Sequence, residues 1–314
     1  DINEFVEDMM DVIQKKYKEL KTLNVMVLGK TGVGKSTLIN NMFNEKIAET
    51  GVGKPITQKI RKITKPNFPI AIYDTPGLEL GGENALGALL EEMTSEIDKG
   101  IKSGDIDKAI HCIWYCISTP SHRFEQAEID FLKKFLGMTS EFDVPVIIVL
   151  TQSYSKNDAK SLTREIEREN LPVAKIVSVL AENYSINGEY TVDAYGLDTL
   201  SEIMNSVIPE AVQKTFIAVQ KTNLKLKKEK AQTIVAAAAT AAAVTGATPI
   251  PFSDAAILAP GQAAMLAGIT ATFGIPIEKG SITAIVSATI GTAGTTVLGK
   301  TIVGNLIKII PGVG

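Results

Sequence analysis

Residues 29–36 read GKTGVGKS, with three glycines, a lysine and a serine at fixed spacing behind the apolar run LNVMVLG (23–29). Gly-x4-Gly-Lys-Ser between a strand and a helix is an arrangement that cradles phosphate. Gly29, Gly32 and Gly34 let the backbone curl so that several N–H groups point inward. The following helix adds positive potential at its N-terminus. Lys30, Thr31, Val33 and Thr37 complete the stretch expected to line a bound nucleotide. Lys35 is expected to reach the β- and γ-phosphates, and Ser36 to ligate Mg²⁺, a hard ion that prefers oxygen. A second stretch, IAIYDTPG (70–77), ends an apolar run in Asp74, with Gly77 three residues on. Asp74 is expected to hold Mg²⁺ through a water, and the Gly77 N–H to bond the γ-phosphate. Asp-Thr-Pro-Gly alone would pass for an ordinary turn; its place behind the phosphate loop favours the functional reading.

Alternating strands and helices must position these groups, which argues for an α/β sheet covered on both faces. Short Ile/Val-rich runs at 23–29, 58–64, 69–74, 109–117, 144–150 and 174–180 read as buried strands. Helices are expected at Lys35–Phe43, Glu91–Lys102, Phe124–Leu136, Lys160–Glu169 and Asp198–Ile208. Residues 3–20 read as an additional amphipathic helix, with Phe5, Met9, Ile13, Tyr17 and Leu20 on one stripe.

GKTGVGKST and DTPG, in this order and spacing, resemble the Era/Der-like branch of small P-loop GTPases over about residues 22–208. The resemblance implies a Ras-like fold, a six-stranded mostly parallel sheet with one antiparallel strand, GTP or GDP as ligand, and a Mg·GTP switch. It also implies a Mg²⁺-ordered threonine between the first helix and the second strand. Thr57 is the better candidate, Thr50 the runner-up. Lys35, Thr57 and Gly77 are thus the candidate reaction residues, and Ser36, Thr57 and Asp74 the candidate metal ligands. The segment TPIPFSDAAILAPGQAAMLAGI resembles a YcjF-like helical domain of unknown function. That match covers about 231–314, transfers no chemistry, and breaks off at the C-terminus, so the helical domain is expected to be incomplete.

The chain departs from the family pattern in two places. Leu78 follows Gly77, where relatives sometimes carry a water-orienting Gln. An aliphatic side chain cannot position water, so hydrolysis is expected to be slow unless K⁺, a partner or a second copy of the chain helps. Arg123, in STPSHRFEQ, is a candidate donor across such a dimer, although it also reads as a solvated charge at a helix start. The second departure is in VLTQSYSKND (149–158). In register, Thr151 fixes the base loop and Gln152 replaces the Lys that covers the base. Tyr154 stands where an Asp would accept from guanine N1 and N2. Asp158 offers a shifted carboxylate but reads better as an N-cap of the next helix. Ala181, in LAEN, can still give its backbone N–H to guanine O6. Guanine is therefore the expected base, with weakened selectivity.

The net charge of −3 gives no global drive toward nucleic acid. Cys112 and Cys116 are the only cysteines; one strand would hold them too far apart to bond, so free thiols in a reducing compartment are expected. The N-terminus is acidic and amphipathic, unlike a signal peptide. From Ala231 onward charge almost vanishes, behind the lysine-rich KTNLKLKKEK (221–230). The expected organisation is a helix at 1–21, the nucleotide domain at 22–208, a basic helical linker at 209–230, and an apolar helical domain at 231–314. The uncharged stretches are long enough to span a bilayer. Their Ala, Gly and Thr suit close helix packing in a membrane or in a soluble bundle alike, and both readings stay open, as does a membrane surface reached through 221–314. Three functions follow: a GTP-hydrolysing switch for the helical domain, a nucleotide-binding structural module with little turnover, and an ATPase.

Overall fold

The computed structural model describes residues 2–48, 52–55, 60–75, 77, 82–121, 124–244, 260–274 and 278–289. The chain forms two compact units, residues 21–223, and residues 1–20 with 224–314. The first unit carries the sheet. Its strands are β1 (Leu23–Leu28), β2 (Val52–Pro55), β3 (Arg61–Lys65), β4 (Phe68–Asp74), β5 (Cys112–Ser118), β6 (Val146–Thr151) and β7 (Lys175–Ser178). They lie in the order β2-β3-β4-β1-β5-β6-β7. β3 pairs antiparallel with both β2 and β4, while β4, β1, β5, β6 and β7 run parallel. The six expected strands are present, and the short β2 extends the edge beyond them.

Strand alternation sends successive side chains to opposite faces. On one face Ile113, Tyr115 and Ile117 of β5 join a core with Met93, Phe131, Leu132, Phe135 and Leu162. These come from α3 (Gly82–Lys102), α4 (Gln126–Thr139) and α5 (Lys156–Glu167). On the other, Trp114 stacks on Phe43 with ring centroids 6.1 Å apart, and its indole N–H points at Met204 Sδ, 3.1 Å away. Phe43 closes α2 (Lys35–Met42) and Met204 lies on α6 (Leu197–Val207). Cys112 and Cys116 are buried free thiols, as expected.

Three boundaries differ from the sequence expectation. α3 starts at Gly82 rather than near Glu91. α5 starts at Lys156 rather than Lys160. Residues 209–230 do not form a linker: α7 (Glu210–Val219) belongs to the sheet unit, tied by Asn44 Nδ2 to Ala218 O at 2.8 Å, and α8 (Leu224–Val244) opens the other unit. A hairpin of β8 (Tyr184–Ile186) and β9 (Tyr190–Val192) was also not anticipated, although Asn187-Gly188 between two alternating runs is a strong hairpin signal.

In the second unit α1 (Ile2–Lys18) packs against α9 (Pro260–Phe273) and α10 (Lys279–Thr289), and α8 packs against α9. Met9 and Ile13 of the expected stripe, joined by Val6, which the stripe did not include, meet Met265, Ile269, Phe273, Ile282 and Ile285. Helix 1–21 is therefore part of this unit rather than a separate element. Small residues bring α8 and α9 together: a Cβ on Gly268 would lie 3.5 Å from Ile234 Cγ2. Among the described residues no helix is long and apolar enough to cross a membrane. The segment TPIPFSDAAILA lies outside the described residues.

Lys227 of α8 is buried and donates to Thr272 O and Phe273 O at 3.3 and 3.2 Å, closing the C-terminal end of α9. Burial pulls its pKa from 10.5 down to about 7. The unfolded chain then holds more protons than the folded one between those values, so the unit's stability should rise with pH across that window. The slope can reach about 1.4 kcal/mol per pH unit. Urea unfolding followed by far-ultraviolet circular dichroism should show this rise, and Lys227→Met should flatten it. Fluorescence of Trp114, the only tryptophan, reports the sheet unit separately.

Candidate nucleotide site

The phosphate loop runs from the end of β1 into α2. Gly29 has φ +147°, and a Cβ there would lie 2.6 Å from Cys116 O, so no side chain fits. Gly32 and Gly34 also have positive φ, 77° and 88°. Gly34 caps α2 without any side-chain hydrogen bond, which leaves the first helical amides for an anion. Lys35 opens the helix and turns its ammonium back over the loop, donating to Gly29 O at 2.9 Å and Lys30 O at 3.0 Å. Ser36 is exposed, Thr37 and Thr31 border the loop, and Val33 is buried.

Asp74 ends β4, paired in register with Val27 of β1 and Arg61 of β3. Burial raises its pKa, and Lys35 and Arg61 pull it back. A hydroxyl and a half-buried carboxyl beside a helix N-terminus are hard oxygen donors, the set that Mg²⁺ takes together with phosphate oxygens and water. A divalent cation would also offset the desolvation that now disfavours ionised Asp74. Ser36 and Asp74 therefore fit the ion. Gly77 is buried. Thr57, Thr50, Leu78, His122 and Arg123 lie outside the described residues.

Lys30 faces away toward α4, reaching Glu125 Oε2 at 2.8 Å and Glu128 Oε2 at 3.1 Å. Its own burial opposes the charge, but the hydrogen bonds it donates to the two carboxylates raise its pKa overall; burial raises that of Glu128. Lys30 is thus a clasp from the loop to α4, a partnership that the loop motif gives no hint of.

The base side is a cleft of about 90 Å³ lined by Gly34, Thr37, Leu38, Thr151, Gln152, Tyr154, and residues 179–184. Thr151 Oγ1 donates to Val33 O at 2.5 Å, with Ile117 O at 3.2 Å. Gln152, at φ +52°, is anchored twice: its Nε2 donates to Gly32 O at 3.1 Å, and its Oε1 accepts from Ser118 Oγ at 2.6 Å. Its stem lies 3.5 Å from where a Gly34 Cβ would be. The amide thus ties the phosphate loop to the end of β5. Ala181 lies in the cleft wall.

Tyr154 packs on Tyr184 with centroids 4.0 Å apart and planes tilted by 37°. Burial raises its pKa, with Tyr184 and the Glu182 carboxylate adding to the rise. Tyr184, Glu182 and Asn183 were missed as cleft residues because their role depends on a loop that crosses from β7 to the hairpin. That loop is held by paired Leu180 and Tyr195 main chains at 3.0 Å, by Asn183 Oδ1 accepting from Ala194 N at 2.8 Å, and by Tyr195 Oη donating to Ser153 O at 2.9 Å.

The expected N-cap is corrected. Ser155, not Asp158, caps α5, accepting from the Asp158 N–H at 3.2 Å. Asp158 sits in the first turn, where an acid favours the helix dipole. It is not among the residues that line the cleft. Ser-x-x-Asp ahead of an amphipathic run was the available signal.

Residues 24–178 match the family model described as 50S ribosome-binding GTPase. This part of the chain is a P-loop GTPase domain, a class that binds GTP or GDP with Mg²⁺. Cell division control protein 10 of Candida albicans is 26% identical over 216 residues, covering 60% of this chain and 56% of that one. Septin-9 of Rattus norvegicus is 28% identical over 165 residues, covering 45% and 29%. The chain thus spans about half or less of these relatives. Among solved structures, a probable GTP-binding protein engB is 16% identical, covering 59% of this chain and 98% of that one at TM-score 0.38. Toc33 from Arabidopsis thaliana is 18% identical, covering 67% and 91% at TM-score 0.39.

Two outcomes follow from this geometry. Ser36→Ala and Asp74→Ala should each shift the Mg²⁺ dependence of nucleotide binding to higher concentration, measured by titrating the ion against a fluorescent GTP analogue; unchanged curves for both would remove these residues from the metal site. Asp158→Ala should leave the ratio of GDP to ADP affinity unchanged. Its cost should be confined to stability, about 0.3–1 kcal/mol for an acid lost near a helix N-terminus.

Proposed function

We propose that the chain is a Mg-dependent GTP-binding protein and slow GTPase whose nucleotide state controls its helical unit. The observation that carries this reading is the convergence of three segments. The glycine-formed phosphate loop with Lys35, the Thr151–Gln152 turn and the Ala181 wall border one cleft. Within it, backbone amides 30–37 would hold the phosphates, with Lys35 swinging from the Gly29 and Lys30 carbonyls to the β- and γ-oxygens. Gly77 would report the γ-phosphate through its N–H, and Thr57 would complete the metal shell with Ser36 and Asp74. When bound, Mg²⁺ supplies charge that offsets the negative phosphates during transfer.

The placement in the Era/Der-like branch, and of the C-terminal helices with YcjF-like domains, belongs to this proposal. Support comes from GKTGVGKST, DTPG and the small-residue packing of Gly268 on Ile234. Leu78 in place of a water-orienting Gln supports a low intrinsic rate, with a second copy of the chain as one source of the missing group. The same residue favours a second reading, a nucleotide-binding module with little turnover.

Turnover of GTP and of ATP by the purified chain, with and without liposomes, separates these readings. Slow Mg-dependent GTP hydrolysis is expected, with little ATP hydrolysis. Lys35→Ala should lower GTP affinity by at least about 100-fold while the domain stays folded, since a loop lysine supplies a charge-assisted bond to phosphate in a partly dry site. Equal affinity would overturn the site. Exchange of α8, α9 and α10 amides should differ between GDP and a non-hydrolysable GTP analogue; identical exchange would remove the switch from this reading.

A further inference from the structure

A guanine base presents two donors on one edge, N1–H and the N2 amino group. Tyr154 replaces the carboxylate that would accept both, and a neutral phenol carries one oxygen. The nucleotide reading therefore leaves an unmet requirement: two acceptor oxygens at the far end of the cleft from the phosphate loop. Among the described residues that line the cleft, Glu182 alone carries a carboxylate. It is exposed, so its carboxylate is not tied up in the core. It is also close enough to Tyr154 to disfavour ionisation of that phenol.

We propose that Glu182 is the guanine-specifying residue of this chain, taking over from the opposite loop the role that Tyr154 cannot perform. The proposal rests on the guanine-nucleotide reading of the site. The loop that carries Glu182 is fixed on both sides. Leu180 is paired with Tyr195, and Asn183 is bonded to Ala194 at 2.8 Å. Gly196, at φ +87°, lets that return strand pass so close to β7 that a Cβ would lie 2.1 Å from Ser178 O. Tyr195 then reaches Ser153 O at 2.9 Å, which joins the Glu182 loop to the Tyr154 loop. A carboxylate on a loop held this way is placed before ligand arrives, which limits the ordering cost on binding. Tyr154 and Tyr184, packed together beside it, form an aromatic wall for the base rather than a hydrogen-bonding one.

The test uses the full chain and fluorescent GDP, ADP and xanthosine diphosphate. Glu182→Gln keeps the shape but replaces one acceptor oxygen by an N–H donor. It should weaken GDP by about 10- to 100-fold, the range expected for a bidentate base contact, and leave ADP unchanged. It should also strengthen xanthosine diphosphate, whose 2-oxo group accepts from the new amide; a merely structural role for Glu182 would not produce that gain. Glu182→Asp should retain a preference for GDP over ADP. GDP affinity unchanged in Glu182→Gln, with no gain for xanthosine diphosphate, overturns the assignment while leaving the guanine-nucleotide reading in place. Failure of the unaltered chain to bind GDP at all overturns that reading, and the role of Glu182 with it.

Discussion

One hydroxyl joins the two halves of the nucleotide site. Thr151 ends β6, and its Oγ1 bonds the Val33 carbonyl in the middle of the phosphate loop at 2.5 Å, beside the Ile117 carbonyl of β5. It is buried, so the contact has no competition from water and an unpaired Val33 carbonyl would be costly. Lys35 bonds the Gly29 and Lys30 carbonyls within the loop, and Lys30 ties the loop to α4. With Thr151 in place, the loop that grips phosphate and the turn that begins the base wall move as one body. Gln152, the next residue, repeats the connection from Gly32 O to Ser118 Oγ. The distance from phosphate to base is thereby set before any ligand binds, which is what a site for one class of nucleotide requires.

The phosphate loop was legible in the sequence because its determinants are local. Gly29 must be glycine since a Cβ would meet Cys116 O, and Gly32 and Gly34 hold positive φ beside it. The strands were legible because they are short, apolar and separated by helices; their order in the sheet was not read from the sequence. What escaped was long-range or masked by competing local signals. Asp158 looked like a cap, yet Ser155 three residues earlier holds that place. α1 showed its apolar stripe plainly, but nothing near it in sequence says that its partners are α9 and α10, more than 240 residues away. The 209–230 segment read as a linker from its lysines. Its first half in fact closes the sheet unit, through buried Val212 and Phe216, and one of its lysines, Lys227, is buried at a helix end. Composition cannot distinguish a solvated lysine from one that closes a helix, because the difference lies in residues some 45 positions further on.

Beyond Thr151, which holds the loop as expected, the base loop was legible mainly as a set of losses. Reading along 149–158 shows which familiar groups are missing. It cannot show what replaces them, because the replacements stand on another loop, after β7. The hairpin that follows β7, its Asn-Gly turn and the return through Tyr195 and Gly196 exist to hold residues 180–184 against the end of β6. In this chain the base end of the cleft is built from two loops, each incomplete alone, whereas the phosphate end is built from one.

The central claim is that the phosphate loop, the Thr151–Tyr154 turn and the Ala181–Tyr184 loop close on a single nucleotide. Backbone hydrogen exchange of the full chain, with and without saturating GDP and Mg²⁺, tests it most directly. The account predicts concerted protection in 30–37, 151–154 and 181–184, with the same nucleotide concentration dependence for all three. Protection confined to 30–37, with the other two segments unchanged while GDP is bound, would show a phosphate grip without a base site and would contradict it.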